Sequence, residues 1–314
     1  MENQLSANAQ IISVSPIIFQ VKSRQAALEV KVTAPVNGVN LPVIILSHGH
    51  GASNFLASYR GYAPLVDYYA AQGFVIIQPT HQDSKTLALD PTGQEGALFW
   101  KSRAEDMIFI LDNIEEILSI IPGLSERTDK NSVAAVGHSL GGHTVSMLAG
   151  MRVTDPVSGE VVSKEEQRIK AFVVFGAPGS GEGAAQFISE HYPVIGGTNF
   201  SEMKNDMLVV AGDRDQNPMF SDEEFWRMDA YYKSPSPKSL LTIFGGKHML
   251  GGISGYDASE TFQYDEENPE LVNFVSKMTA AYIWSKLYPQ NKSWENTINE
   301  LAINENPKGK VDVK

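Results

Sequence analysis

The 314-residue chain contains no cysteine. That excludes disulfides, a thiol nucleophile and any cysteine-ligated zinc or iron–sulfur site, and it fits a reducing compartment. No run of about 18 apolar residues is present, so no segment is expected to span a membrane. The opening MENQLSANAQIISVSPIIFQ lacks the basic region and long apolar stretch of a secretory signal, and a cytoplasmic location is expected. Positive charge is in deficit, with 25 Lys and Arg against 37 Asp and Glu and a formal net charge of -12. With no local run of Lys or Arg, this argues against a nucleic-acid backbone as partner. Internal repeats and low-complexity tracts are also missing. What the chain does have is 42% hydrophobic and 20% charged residues, the proportions of a globular protein with a substantial core. Its length suits one large α/β domain or two ordinary ones.

Residues Ile11–Val36 alternate in two pieces, around Val14–Val21 and Ala27–Ala34, with Ser23-Arg24-Gln25 between them. They read as an antiparallel hairpin at a sheet edge, within an N-terminal segment 1–40. From there the pattern changes to short continuous apolar runs, as expected of strands covered on both faces: Leu41–Ser47, Phe74–Gln78, Ser132–Val136, Ala171–Phe175, Met207–Ala211 and Leu240–Phe244. Helical patterns separate most of them, at Tyr59–Gln72, Ala104–Ile121, Thr144–Met151 and Phe220–Tyr232, and a last amphipathic helix spans Glu270–Leu287. Strand alternating with helix predicts a mostly parallel central sheet with helices on both faces. The linker-like segments Asp155–Glu166, Gly176–Asn205 and Gln216–Lys238 are expected on the carboxyl side of the strands, the ligand side of an open parallel sheet. We read 1–314 as a single domain with lid-like inserts at 176–205 and 216–238 and a C-terminal tail at 289–314.

The strongest chemical signal is Gly137-His138-Ser139-Leu140-Gly141, directly after one predicted strand and directly before a helix. A serine on so tight an elbow needs small residues two before and two after it, because the backbone leaves almost no room for Cβ atoms. Ser139 at a helix N-terminus is also where negative charge is favoured. A serine hydroxyl needs a base, and His248, in the glycine-rich loop after the last core strand, is the best placed of the seven histidines. The base needs an acid. Asp213 and Asp215 compete at the end of Met207–Ala211. Asp215 has the reach, whereas Asp213 reads as a turn cap paired with Arg214. The order Ser139…Asp215…His248 is that of a hydrolase built on such a sheet. The first core strand runs into Ser47-His48-Gly49-His50-Gly51, whose glycines let N–H groups face the site. The N–H groups of His50 and Leu140 are therefore the candidate oxyanion donors. His48, His50, His81 and Asp83 also fall at strand ends and raise a metal reading. H-G-H-G, however, lacks the acidic residue and third histidine of a metallohydrolase cluster, so no metal is expected.

With these pieces, the chain resembles the α/β-hydrolase fold. Within that fold it is similar to the group of dienelactone-hydrolase-like esterases, chlorophyllases and platelet-activating-factor acetylhydrolases. The resemblance runs from about Leu41 through the SHGHG loop, the stretch Tyr69–His81, Arg103 and Asp106 opening the helix before the elbow, GHSLGG, GDRD and GGKH. It places the triad roles on Ser139, Asp215 and His248 and the oxyanion roles on His50 and Leu140. Some relatives carry the acid after the preceding strand. Here that stretch reads Phe175-Gly176-Ala177-Pro178 and offers none. A dienelactone hydrolase proper uses a cysteine nucleophile, which this chain lacks.

Residues and resemblance together predict a serine hydrolase that cleaves carboxylic esters through an acyl-enzyme, with no cofactor. Amidase, thioesterase or perhydrolase chemistry on the same triad is the alternative, with a non-catalytic binding protein of this fold as the more distant one. The expected partner is a small-molecule ester with an apolar acyl or aromatic group, and the expected state a monomer or homodimer. Gly51, His138, Trp100 and Phe220 are candidate substrate-binding residues. Phe99, Phe187, Tyr192, Met219, Phe225 and Trp226 are further aromatic and apolar residues in or near the inserts, which could line a pocket or form the inserts' own core.

Overall fold

A computed structural model describes residues 9–255 and 267–314. Its centre is a nine-stranded sheet. Six strands run parallel in the spatial order β4 (Val75–Thr80), β3 (Leu41–Ser47), β5 (Thr128–His138), β8 (Ile169–Phe175), β10 (Met207–Gly212) and β11 (Lys238–Ile243). The hairpin β1 (Ile11–Phe19) and β2 (Leu28–Pro35) joins β4 antiparallel, and β12 (Gly309–Val313) joins β11 antiparallel at the opposite edge.

The parallel strands read as continuous apolar runs because both faces are buried and successive side chains alternate between them. Val43, Ile45, Val75, Ile77, Val133 and Val174 face one core, and Ile44, Leu46, Ile76, Val136, Val173 and Phe175 face the other. The first core is covered by α2 (Trp100–Asp112), α3 (Ile114–Ser119), the short α4 (Leu124–Arg127) and α5 (Leu140–Leu148). The second is covered by α1 (Ala63–Ala71), α9 (Pro269–Leu287) and Trp294 of α10 (Ser293–Ala302). The Glu270–Leu287 pattern is thus a core cover: Val275, Met278 and Tyr282 are buried against the sheet.

Several elements differ from the sequence expectation, each for a local reason. The Tyr59–Gln72 pattern becomes helical only at Ala63, because Tyr62 is left-handed (φ 68) and Pro64 suits the first turn. Ala104–Ile121 starts earlier and breaks at Asn113, whose Nδ2 donates to the Phe109 carbonyl at 2.8 Å. Thr144–Met151 starts at Leu140. Phe220–Tyr232 is mostly irregular, with a 3₁₀ turn at Trp226–Met228 and only α8 (Asp229–Tyr232) after it. Ser221 Oγ takes the Glu223 N–H at 3.0 Å, which diverts the backbone from a helical ladder.

The segments read as linkers hold structure. β6 (Arg152–Thr154) pairs with β7 (Val161–Val162) and with β9 (Thr198–Asn199) in a small antiparallel sheet. Residues 155–166 do not project from the carboxyl side of the strands: the hairpin leaves from the end of α5 and returns there, Glu166 N–H donating to the Leu148 carbonyl at 2.9 Å. Within 176–205 lie two short helices, α6 (Gln186–His191) and α7 (Pro193–Gly196), and the 289–314 tail supplies α10 and the edge strand β12. Because the six parallel strands share one direction, Ser47, Thr80, His138, Phe175, Gly212 and Ile243 all end at the same margin of the sheet, where the remaining chemistry gathers.

Candidate active site

Ser139 stands alone between β5 and α5 with φ 53 and ψ −120, a conformation unfavourable for a residue with a side chain. The surroundings hold it there. Its N–H donates to the Phe175 carbonyl at 2.8 Å, and its carbonyl accepts from Gly142 N–H at 2.9 Å and His143 N–H at 3.3 Å. The flanking glycines are required by close approach. A Cβ on Gly137 would lie 2.8 Å from Gly142 N, and one on Gly141 would lie 2.7 Å from the His48 carbonyl oxygen.

Asp215 and His248 come together across the ends of β10 and β11. Asp215 Oδ2 accepts from His248 Nδ1 at 2.8 Å, and the carboxylate is almost fully buried while the imidazole is 28% exposed. Burial alone would raise the Asp215 pKa. The charges of His248 and Arg227 beside it outweigh that and hold it down to about 2. Asp213 is a turn cap: its Oδ1 accepts from Gly245 N–H at 2.7 Å. The partner is thus the Gly245 main chain.

Shared neighbours link this pair to Ser139. Gly176 follows Phe175, whose carbonyl holds the Ser139 N–H. A Cβ on Gly176 would be 2.9 Å from Asp215 Oδ2 and 3.1 Å from His248 Nδ1. His138 precedes Ser139, and its ring centroid lies 4.9 Å from that of His248. Its hydrogen bonds form a chain: Gly49 N–H donates to Tyr62 Oη (2.8 Å), the Tyr62 hydroxyl donates to His138 Nδ1 (2.9 Å), and His138 Nε2–H donates to the His248 carbonyl (2.9 Å). Burial, then the His248 charge, push the His138 pKa down to about 3, so it is a neutral brace.

The loop after β3 rests on a buried polar network. His50 Nδ1 donates to Asp83 Oδ2 at 2.8 Å, and Asp83 Oδ1 pairs with Arg103. Arg103 also bonds the His48 carbonyl, Ser47 Oγ (3.2 Å) and, through Nε, Thr144 Oγ1 (3.0 Å). His48 Nε2 accepts from His81 N–H (2.9 Å), which leaves Nδ1–H to donate to the Gly49 carbonyl (2.6 Å). His81 bonds Asp106 Oδ2 (2.8 Å) and Ser47 Oγ (2.9 Å), and Asp106 pairs in turn with Arg24. Burial, then Arg103, lower both His48 and His81 well below the ordinary histidine range. Both ring nitrogens of each are engaged within the protein, and among the described residues no cluster is arranged to hold a metal ion. Leu140 is the first residue of α5, where the opening N–H groups have no helical acceptor.

The remaining candidate substrate residues fall in different places. Trp100 is 2% exposed in the α2/α5 core, under Lys101. His138 is buried in the chain just described. Gly51 lies against Leu56, and Phe220 packs on the core with Arg227 5.3 Å from its ring centroid. Tyr192, between α6 and α7, approaches His50 edge-on at 6.0 Å and Phe187 at 6.2 Å. A cleft of about 310 Å³ lies elsewhere, between the hairpin turn and α2. Arg24, Glu105, Asp106, Phe109 and Lys164 are among its walls, and Ser139, Asp215 and His248 are not.

Arg227, Tyr62 and Asp83 were not singled out by sequence for the parts they play here. Arg227 sits with its Nε 3.6 Å from Asp215 Oδ1, and Arg103 and Asp106, noted only as opening a helix, prove to be buried ion-pair partners. An Arg and Asp three apart on a helix facing an apolar core was the one signal available. No described helix is long and apolar enough to cross a membrane.

No curated protein matches the chain. A sequence model of the alpha/beta hydrolase family matches residues 44–259, more than half of the chain, beginning within β3 and ending beyond β11. Together with the mostly parallel sheet, its antiparallel N-terminal hairpin and the helices on both faces, that match shows that the chain belongs to the alpha/beta hydrolase family.

Proposed function

We propose that this hydrolase cleaves carboxylic esters through a Ser139–His248–Asp215 triad and an acyl-enzyme. The observation that carries the reading is the Asp215–His248 hydrogen bond of 2.8 Å beside a serine held at φ 53 on the elbow. Asp215 takes Nδ1–H and leaves Nε2 as the base. His248 Nε2 removes the Ser139 Oγ proton as Oγ attacks the ester carbonyl carbon. The N–H groups of His50 and Leu140 receive the oxyanion; such donors are each worth about 10²–10³ in rate. The tetrahedral adduct collapses, the bond to the alkoxide breaks, and His248 hands the leaving group its proton. Water then attacks the acyl-enzyme with His248 again as base, releasing the acid and restoring Ser139.

Gly49 cannot share the donor role, since its N–H is already given to Tyr62 Oη, and this favours His50. Tyr192 beside His50 and Phe220 beside Arg227 support an apolar acyl or aromatic ester as substrate. The test is hydrolysis of p-nitrophenyl acetate, butyrate, octanoate and palmitate by wild type and Ser139→Ala, with and without a chelator. Turnover that vanishes in the variant and ignores the chelator is expected, with the chain-length optimum sizing the pocket. Equal activity of the two proteins overturns the reading, as does a matched amide or thioester turned over faster than every ester.

A further inference from the structure

The two proposed oxyanion donors come from different parts of the fold, one from the loop after β3 and one from the start of α5. A single side chain is tied, through one relay each, to the His50 side chain and to the Leu140 carbonyl. Arg103 Nη1 pairs with Asp83, whose other oxygen holds His50 Nδ1 at 2.8 Å. Arg103 Nε donates to Thr144 Oγ1 at 3.0 Å, and the Thr144 hydroxyl donates to the Leu140 carbonyl at 3.2 Å. Arg103 Nη2 grips the His48 carbonyl and Ser47 Oγ between these two arms.

The peptide carrying the His50 N–H is also fixed in orientation. His48 Nδ1–H holds the Gly49 carbonyl, and in a trans peptide the N–H of the next residue points the opposite way. The Gly49 N–H is held by Tyr62 Oη, so the plane cannot turn about either neighbouring bond without breaking a buried hydrogen bond.

This arrangement is costly if stability is its only purpose. The Arg103 and Asp83 side chains are fully buried, and buried ion pairs contribute little net stability compared with apolar packing of the same volume. What apolar packing cannot do is set the direction and separation of two N–H groups on different elements. We propose that Arg103 is a positioning residue that fixes the spacing of the oxyanion donors, acting on His50 through Asp83 and on Leu140 through Thr144. This rests on the ester-hydrolase reading above for its kinetic consequence, but the restraint itself is a property of the loop.

Arg103 is too deeply buried to be the first variant, so the two arms are cut where they end. The His50 side chain is 20% exposed, and His50→Ala removes the anchor while keeping the main-chain donor. His50→Asn restores an N–H near the position of Nδ1. Thr144→Val cuts the other arm, and Thr144→Ser restores it. For the same p-nitrophenyl esters, His50→Ala and Thr144→Val are expected to lose about 10- to 100-fold in kcat with KM within about threefold, because an oxyanion donor displaced by a fraction of an ångström acts on the transition state alone. His50→Asn and Thr144→Ser should recover most of the loss. Hydrogen–deuterium exchange over residues 48–51 reads the restraint without any substrate: faster in His50→Ala than in wild type, and protected again in His50→Asn. Equal kcat loss in His50→Ala and His50→Asn, a rise in KM at unchanged kcat, or unchanged exchange in His50→Ala each overturn the proposal. If Ser139→Ala keeps full activity, the ester-hydrolase reading fails instead, and the exchange result alone decides whether the loop is restrained.

Discussion

Gly141→Ala should be the most damaging single methyl group that can be added near the site. The Cβ would stand 2.7 Å from both the Ser47 carbonyl carbon and the His48 carbonyl oxygen, and nearer still to the Ser47 oxygen. These are main-chain atoms at the end of β3, a strand buried on both faces, so no side chain can swing aside. Relief requires α5 and the β3 end to separate by roughly 1 Å, against a core that is close-packed. Overpacking of this kind costs about 1–3 kcal/mol, and rigid backbone on both sides puts this case at the upper end. For a chain of 314 residues, with an unfolding entropy of about 2.1 cal/mol/K per residue, that is a fall in Tm of roughly 3–5 °C. The separation also falls between Ser139 on one element and the His50 loop on the other. A displacement of about 1 Å at a reacting centre is worth about 10²-fold in rate, so kcat for a p-nitrophenyl ester should drop by that order beyond any loss of folded protein. Gly93→Ala is the control, since a Cβ there meets nothing within 4 Å, and it should stay within about 0.5 kcal/mol of wild type. Thermal melts and initial rates on the three proteins decide the matter. A Gly141→Ala enzyme within a degree and twofold of wild type would falsify the close-approach argument.

Asp215→Asn keeps the shape but offers His248 an amide that can hold the wrong tautomer; kcat should fall by about 10³–10⁴ with little change in KM, and a fall under tenfold would remove Asp215 from the proposed triad. The Asp215 carboxyl is held down to about 2, so its contribution to stability is full above the unfolded value near 3.8 and is lost as pH falls through about 2. Arg227→Gln removes one of the charges holding it down, so the contribution should be smaller and its loss complete at a higher pH in an acid titration of folding. The same change leaves Asp215 less neutralised, and the acid limb of kcat/KM should move up by a few tenths to about one pH unit; a downward shift would contradict the assignment. Tyr62→Phe strips the hydroxyl shared by Gly49 N–H and His138 Nδ1, leaving a buried donor and acceptor unmatched, and should cost about 1–3 kcal/mol in a denaturant melt.

The parts of the fold legible in sequence are those where one physical constraint acts along consecutive residues. Burial on both faces forces Leu41–Leu46 of β3 and Met207–Gly212 of β10 to be apolar throughout, and the strands lie where those runs lie. The hairpin β1–β2 alternates because only part of it is covered. Where the constraint is weaker the pattern fades. β12 is an edge strand reading Gly-Lys-Val-Asp-Val, with charges at alternate positions that keep an open edge soluble and also hide it from a search for apolar runs. The small sheet of β6, β7 and β9 uses strands of two or three residues, too short for any period to register. The helix read at Phe220–Tyr232 had the spacing, but the Ser221 hydroxyl offered the backbone a competing partner at the point where a helix would have begun.

The site divides along the same line. Gly137, Ser139 and Gly141 were legible because a tight turn imposes its needs on residues two apart, and Asp215 and His248 because both follow apolar runs that mark strand ends. The supporting groups have no such local signature. Tyr62 meets His138 across 76 residues, Arg24 meets Asp106 across 82, and Arg103 reaches Ser47 across 56. A charged residue in a helical stretch reads as solvated by default, and only a fold that brings it under β3 reveals a buried partner. The consequence is an asymmetry in what sequence can reveal about an enzyme of this architecture. The groups proposed to exchange protons and form bonds sit at strand ends and announce themselves, whereas the groups that fix their geometry are recruited from the hairpin turn, the α1 cap and the first two turns of α2. A substitution at Arg103 or Asp83 would therefore look like a surface change in sequence, while in the structure it cuts the buried tie between the β3 loop and α5.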